Sequence, residues 1–208
     1  MKQKNHAPVS QNGHGAEFQP YGTVVDRAIS LDNKVRATAA DKLNQILADT
    51  ICLRDMYKKH HWQVTGPTFY QLHLLFDKHF EEQVELVDTL AERVQTLGGV
   101  AIAMSHDVAE TTHIERPPRG REDPNTQLYR LLQAHELIIA ETREAADWTE
   151  EAGDQGTNDV LVSNVLRTNE FQVWFITEQL TAAGVEGRPS EEAAELVATG
   201  GHRRGHNH

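Results

Sequence analysis

The sequence predicts an all-α protein whose core is a bundle of four long helices, and three observations support this prediction. Apolar residues recur at steps of three and four along four long stretches, which is the period of an amphipathic helix. No segment shows convincing alternation of apolar and polar residues, the pattern of a half-buried strand. Segments containing glycine or proline separate the four stretches, and the middle segment is much longer than the other two.

The first two helices are expected on either side of a short turn. Apolar steps begin near Ala40 and continue to the turn at Gly66 and Pro67, where proline disfavours helical geometry in the residue before it. The recurring positions are Leu43, Ile46, Leu47, Thr50, Leu53, Tyr57 and His61. The second helix is expected over about residues 69–97, because Gly98 and Gly99 follow it and glycine is typical after a helix C-terminus.

The last two helices are expected after a long crossover. The connection that follows Gly99 contains Pro117, Pro118 and Pro124, and we expect a short helix within it. A third helix is predicted over about residues 126–151 and a fourth over about 157–183, joined by a turn that contains two glycines. Four long helices with one long middle crossover fit a ferritin-like bundle better than a plain up-down bundle.

The domain organisation follows from these elements. We expect a flexible N-terminal arm over residues 1–34, because its first part is rich in Gly, Pro, Asn, Gln and His and has no apolar periodicity. The ferritin-like bundle is predicted over residues 35–184. Residues 185–208 are predicted to form a C-terminal tail, in which the stretch SEEAAELVA is compatible with a short helix.

Composition and charge exclude several classes of protein. The chain has 208 residues, of which 38% are hydrophobic and 25% are charged, as expected for one ordinary globular domain. It has no apolar run long enough to span a bilayer, no apolar segment of a secretory signal at its start, and a single cysteine, Cys52. We therefore expect a cytoplasmic location. The formal net charge of −11 repels phosphate backbones and attracts cations.

A stripe of polar side chains runs along the predicted second helix. At about 100° per residue, and with His73 at zero, Asp77 lies near 40°, Asp88 near 60° and Glu92 near 100°. On the same scale, the large apolar residues of this helix centre near about 290°. The polar stripe therefore flanks the apolar face, and we expect it to lie against something other than the chain's own core.

The stripe consists of two pairs that are too far apart to hold one ion together. Each pair is one turn long, but fifteen residues separate His73 from Asp88, a distance of roughly 22 Å along a helix. Metal–ligand bonds are only about 2.0–2.2 Å long. An antiparallel copy of the helix, related by a two-fold axis near Glu82, would bring the two kinds of pair together in two identical sites. The sequence therefore predicts a homodimer with metal sites at its interface.

The segment HHWQVTGPTFYQLHLLFDKHFEEQVELVDTLAERVQTLGG resembles the signature of the Dps proteins, mini-ferritins that are named as DNA-binding proteins from starved cells. The elements of that signature are present in register at His61-Trp62, Gly66, Phe69, Leu72-His73, Asp77, Asp88 and Glu92-Arg93. This motif spans about forty residues, and the four-helix plan extends the likeness over roughly residues 35–183.

The resemblance implies a function as well as a fold. It implies a di-iron ferroxidase centre between two-fold-related subunits, with His61, His73 and Asp77 from one chain and Asp88 and Glu92 from the other. It implies a hollow shell of twelve subunits that oxidises Fe(II), preferentially with hydrogen peroxide, stores the Fe(III) as a mineral and protects the cell from oxidative stress. By the same analogy, Trp62 would quench a stray oxidising equivalent.

Each of these assignments has a plainer alternative. Asp88 and Glu92 are also compatible with a solvated face that pairs with Arg93 or Lys78, and Trp62 with simple interface packing. The ligand set also suits zinc, so zinc can substitute for iron. His60 is expected to be an interface histidine rather than a partner of the metal ligands.

Two further features are weaker signals. Asp154 and Asp159 lie at the turn before the fourth helix, where the resemblance implies an acidic pore, but helix capping explains them equally well. Glu110 to His113 is the only Glu-x-x-His motif in the chain. A ferritin-type site within one bundle needs that motif on two helices, so no such site is expected.

DNA binding is expected to be absent at neutral pH. The N-terminal arm carries only Lys2 and Lys4, and the C-terminal Arg203 and Arg204 are preceded by a run of acidic residues. The terminal histidines, which are His6, His14, His202, His206 and His208, would add positive charge only below about pH 6.5. The alternative function is a shell protein that binds DNA, or sequesters zinc, with little ferroxidase turnover.

Overall fold

A computed structural model of the protein describes residues 17–182, and the regular secondary structure in that range is entirely helical. The predicted all-α, ferritin-like fold is confirmed. The elements are α1 (Asn33–Gln63), α2 (Phe69–Thr96), α3 (Ser105–Thr111), α4 (Pro124–Glu151), α5 (Gln155–Asp159), a π-helical segment (Val160–Leu166) and α6 (Arg167–Ala182). The predicted C-terminal tail and the terminal histidines lie outside the described residues.

The four rods form a closed bundle. Helix α1 packs against α2 and α4, and the fourth rod, which is made of α5, the π-helical segment and α6, packs against α4 and α2. The crossover contains one short helix, α3, as predicted. Helix α3 packs against α1. The core contains the fully buried side chains of Leu43, Leu47, Leu53, Phe76, Leu90, Leu131, Ile138, Leu161 and Ile176. Within residues 17–182, none of the helices has the length and apolar character needed to cross a bilayer.

Helix α1 begins earlier than the apolar pattern indicates. Asp32 caps it, with its carboxylate accepting a hydrogen bond from the Lys34 main-chain N–H at 2.7 Å. The first turns bury Arg36, which is 1% exposed, instead of a leucine. Its guanidinium donates to the Leu97 carbonyl at 2.8 Å and to the Val25 carbonyl at 2.7 Å. Because the first large residue to be buried is charged, apolar periodicity misses these turns.

The end of α2 is fixed by the chain segment that precedes α1. Gly98 has a φ of +87°, the left-handed conformation that favours glycine after a helix. Its carbonyl accepts hydrogen bonds from the Val25 main-chain N–H at 2.9 Å and from the Gln19 side chain at 2.9 Å. The predicted arm ends at residue 34, but its last two residues belong to α1. Residues 17–32, the described part of the arm that precedes α1, are therefore attached to the bundle at this point.

A hydrogen-bonded polar network lies in the middle of the bundle. The Tyr57 hydroxyl lies 2.5 Å from Nε2 of His135 and 3.1 Å from Nδ1 of His79, and Nδ1 of His135 lies 2.8 Å from the Asn169 side-chain oxygen. Burial lowers the pKa of His79 and His135 to about 3, so both rings are neutral. Because His79 is fully buried, it faces the core and not the polar stripe, as its position on the helix predicts.

The fourth helix is not regular. The sequence predicts one continuous helix there, but residues Val160–Leu166 form a π-helical turn between α5 and α6. Leu161 and Val165 are both fully buried within this turn. Apolar spacing alone does not reveal the change, because buried residues four apart are also expected in an α-helix.

Candidate metal centre

His61 and His73 form the centre of the candidate site, although they lie on different helices. His61 is in the last turn of α1 and His73 is in the second turn of α2. The turn at Gly66 folds the two helices against each other, so that the imidazole rings stack with centroids 3.7 Å apart and an interplanar angle of 19°. Phe69 also stacks on the His73 ring, at a centroid distance of 5.1 Å.

Each of these histidines is oriented by the main chain of the other. Nδ1 of His61 lies 2.8 Å from the His73 carbonyl oxygen, and Nδ1 of His73 lies 2.9 Å from the His61 carbonyl oxygen. A carbonyl oxygen can only accept a hydrogen bond, so each Nδ1 carries the proton. In the neutral form of each ring, this tautomer keeps the lone pair on Nε2. A hydrogen bond of this kind, from the second ring nitrogen, is typical of metal-ligating histidines.

Asp77 completes the group on this chain. Its carboxylate lies 3.8 Å from Nδ1 of His61 and accepts a hydrogen bond from the Lys58 ammonium at 2.5 Å. That hydrogen bond is the main cause of the lowered pKa of Asp77, and the positive charge of Lys58 lowers it further, whereas desolvation raises it. The carboxylate is thus ionised, and it is paired with the ammonium group of Lys58. The sequence analysis gave Lys58 no role at this site, although Lys58 lies about one turn before His61 on α1.

Asp88 and Glu92 lie further along α2 and do not join this group within the subunit. Both are exposed, and within the described residues neither carboxylate has a hydrogen bond or an ion pair. Their proposed neighbours have other partners: Arg93 binds Asp154 at 2.7 Å, and Lys78 pairs with Glu82. The two carboxylates are therefore available to groups outside the subunit.

The remaining predicted residues have different surroundings. Trp62 is 70% exposed and follows His61 at the end of α1. The prediction of an interface position for His60 is wrong. His60 is fully buried inside the subunit, and its ring centroid lies 6.2 Å from that of Phe76. Neither of its ring nitrogens has a hydrogen-bond partner among residues 17–182. Burial, followed by the charges of Lys59 and Arg130, lowers the pKa of His60 to about 3.

The two aspartates before the fourth helix differ in role. Asp154 is 2% exposed, caps α5 by accepting from the Thr157 main-chain N–H at 3.0 Å, and is paired with Arg93. These contacts support the capping interpretation for Asp154. Asp159 is exposed and accepts a hydrogen bond from the Ser163 hydroxyl at 2.7 Å. Its side chain makes no capping hydrogen bond, so the capping alternative does not apply to Asp159.

Comparison with known proteins identifies relatives over most of the chain. Residues 40–183 match the model of the ferritin-like domain. The chain is 53% identical, over 141 residues, to the "Uncharacterized protein in bpoA2 5'region" of Kitasatospora aureofaciens, an alignment that covers 68% of this chain and 94% of that protein. It is 32% identical, over 143 residues, to the DNA protection during starvation protein of Halobacterium salinarum, with 69% and 79% covered.

Solved structures give the same result at the level of the fold. DpsC from Streptomyces coelicolor superimposes with a TM-score of 0.79 at 55% sequence identity, covering 79% of this chain and 96% of that one. High coverage of both partners means that the bundle, and not an isolated helical hairpin, is what the two chains share.

Proposed function

This chain belongs to the Dps family of ferritin-like proteins, and on that premise we propose that it is a ferroxidase that stores iron. The observation that carries the proposal is the pair of reciprocal hydrogen bonds between His61 and His73. They leave the Nε2 lone pairs available on two stacked rings, and the ionised Asp77 lies on the same part of the subunit, 3.8 Å from Nδ1 of His61. Two imidazoles and a carboxylate form an incomplete set of ligands for Fe(II).

We propose that the set is completed across a two-fold axis. Asp88 and Glu92 of the partner subunit would supply the missing carboxylates, because the same two residues of this subunit are exposed and unpaired among the described residues. Trp62 would lie at the same interface. Each dimer would hold two such di-iron centres, and dimers would assemble into a hollow shell of twelve subunits in which the Fe(III) mineral collects.

The residues of the site suit the oxidation of iron by peroxide. Carboxylate oxygens are hard ligands that stabilise Fe(III) relative to Fe(II). Two Fe(II) ions each give one electron to hydrogen peroxide, its O–O bond breaks, and two protons are taken up to form two water molecules. Both electrons are delivered in one site, so no hydroxyl radical is released. The negative charge of the chain would raise the local concentration of Fe(II).

A subunit-mixing experiment tests both the ligands and their arrangement. One variant would carry His73→Ala and the other Asp88→Ala, and each alone is expected to lose most of its rate of peroxide-dependent Fe(II) oxidation. When the two are denatured, mixed and reassembled, a mixed dimer contains one site with neither substitution and one site with both. Random pairing is then expected to restore about a quarter of the wild-type sites.

The two outcomes are clearly different. Activity is measured from the absorbance of the Fe(III) product after anaerobic Fe(II) loading. Recovery of this activity on mixing supports a shared centre. If both variants are inactive and mixing restores nothing, all the ligands come from one subunit. If neither variant loses activity, the assigned residues are not the centre. Shell formation is measured separately, from the native mass and the iron content.

A second candidate function is the sequestration of zinc at the same residues. Two imidazole nitrogens with carboxylates also suit Zn²⁺, which has no redox chemistry. Tight binding of zinc, together with slow oxidation of Fe(II) in the wild-type shell, would favour this function over the ferroxidase.

A further inference from the structure

A second group of metal-ligating side chains lies on another face of the bundle, where the crossover passes over α1 and α4. Asp49 of α1, His113 of the crossover and Glu141 of α4 each place one ligand atom there, and these atoms lie within 4.8 Å of one another. Asp49 precedes His61 by twelve residues on α1, which is roughly 18 Å along the helix. The group is therefore separate from the interfacial centre.

Asp49 anchors the group. Its side chain is fully buried and accepts hydrogen bonds from the Thr112 hydroxyl at 2.6 Å, from the His113 main-chain N–H at 2.7 Å and from the Gln45 amide at 2.7 Å. The carboxylate thus holds the loop that carries His113 against α1. Among the described residues it has no ion pair with a lysine or arginine.

Glu141 adds a second carboxylate that is only half satisfied. One oxygen, Oε1, lies 2.7 Å from Nδ1 of His113. The other, Oε2, is buried and has no hydrogen-bond partner among the described residues. A buried carboxylate oxygen without a partner is unfavourable, and a second carboxylate nearby adds repulsion. Lys42, which lines the same cavity as His113 and Glu141, pairs with Glu144 instead, at 3.0 Å.

We propose that Asp49, His113 and Glu141 bind a divalent transition-metal ion, of which Zn²⁺ is the best probe. One imidazole and two carboxylates are ligands that such ions accept. The ion would replace the proton between His113 and Glu141, and its positive charge would lie beside Glu141 Oε2 and the Asp49 carboxylate. A cavity of about 210 Å³ beside His113 and Glu141 has room for water ligands at the open coordination positions.

The experiment compares three variants of the full-length protein in a His73→Ala background, which weakens the interfacial centre. His113→Ala and Glu141→Gln change the proposed ligands, and His106→Ala is the control, because His106 is an exposed histidine of the neighbouring helix α3. Asp49 is left intact because it holds the loop. Bound Zn²⁺ is counted at pH 7.5 against a chromophoric chelator, and crystals soaked in Zn²⁺ are examined by anomalous diffraction.

The proposal predicts a site-specific loss. His113→Ala is expected to bind one zinc fewer per subunit than His106→Ala, and Glu141→Gln to bind that zinc at least about tenfold more weakly. The anomalous map of the background protein should show an ion between the three side chains. Equal zinc counts in all three variants, or a map without a peak there, would mean that His113 and Glu141 form only an ion pair.

Discussion

At the scale of single residues, the environment of each histidine decides its chemistry. His60 and His61 are adjacent in the sequence, yet the environments of their rings differ. The His60 ring is buried with no hydrogen-bond partner in the described part of the chain, whereas a main-chain carbonyl sets the tautomer of His61. The 3.6-residue period places neighbouring residues about 100° apart around α1. His60 therefore faces the bundle interior and His61 faces α2, where it meets His73.

Replacement of His60 by leucine is expected to protect the subunit from acid. The pKa of His60 is about 3 in the folded protein and about 6.5 when the chain is unfolded. Between these values the unfolded chain binds the extra proton, so the free energy of unfolding falls as the pH falls from 6.5 towards 3. His60→Leu removes this effect and should gain up to about 2 kcal/mol at pH 5 beyond any gain at pH 7.5.

Urea unfolding at the two pH values, at a fixed subunit concentration, measures this difference. His106→Leu is the matched control, because His106 is exposed, and it should show little pH-dependent gain. An equal change for His60→Leu at pH 5 and pH 7.5 would mean that the His60 ring does not resist protonation.

At the scale of helices, the junction between α2 and the segment of residues 17–32 depends on one glycine. A Cβ on Gly98 would lie 2.4 Å from the Val25 carbonyl oxygen, whereas a Cβ on Gly153 would meet nothing within 4 Å. Both glycines have a positive φ, at +87° and +76°. Backbone strain is therefore similar at the two positions, and the steric contact is found only at Gly98.

The two alanine variants are expected to differ for that reason. Gly153→Ala should lower the free energy of unfolding by about 1–2 kcal/mol, from the left-handed conformation alone. Gly98→Ala should lower it by at least about 3 kcal/mol, because overpacking adds to the strain. Chemical denaturation gives both values, and amide hydrogen exchange at Val25 shows whether the segment has detached. Equal losses would show that the Val25 contact adjusts without strain.

Helix positions and the alignment of His73 with Asp77 could be predicted because they depend on local spacing. His73 and Asp77 are one turn apart on α2, and periodicity alone places them on one stripe. The group formed by Asp49 and His113 could not be predicted in this way, because it depends on how a non-helical crossover folds back over α1. Likewise, the early start of α1 depends on Arg36 reaching the end of α2, a contact between residues that are distant in the sequence.

At the scale of the whole molecule, the subunit carries half of each proposed centre and a strong negative charge. The helices hold His61, His73 and Asp77 together, but leave Asp88 and Glu92 exposed and unpaired among the described residues. Assembly would therefore be a condition for activity as well as for storage. The charge of −11 per chain is repeated in every subunit of an assembly. An assembly would therefore repel a large negatively charged partner more strongly than one subunit does.

This charge predicts that the protein does not bind DNA at neutral pH, even though a relative from Halobacterium salinarum is called a DNA protection during starvation protein. Removal of Fe(II) and peroxide would protect DNA without contact. Acid pH reduces the net negative charge of the chain but does not remove it. The chain has 12 histidines, and three of them (His60, His79 and His135) have pKa values of about 3. If the other nine all gained a proton, −11 plus 9 would still leave a net charge of −2.

A gel-shift assay with duplex DNA at low salt measures this at pH 7.5 and pH 5.5. We expect no retarded complex at pH 7.5. We expect at most a weak one at pH 5.5 that disappears with added salt, because phosphate contacts release counterions. A triple variant, with His202, His206 and His208 changed to alanine, should abolish the acid complex if the C-terminal histidines form it. Tight binding at pH 7.5 would show that local positive charge in the terminal segments overcomes the repulsion of the assembled subunits.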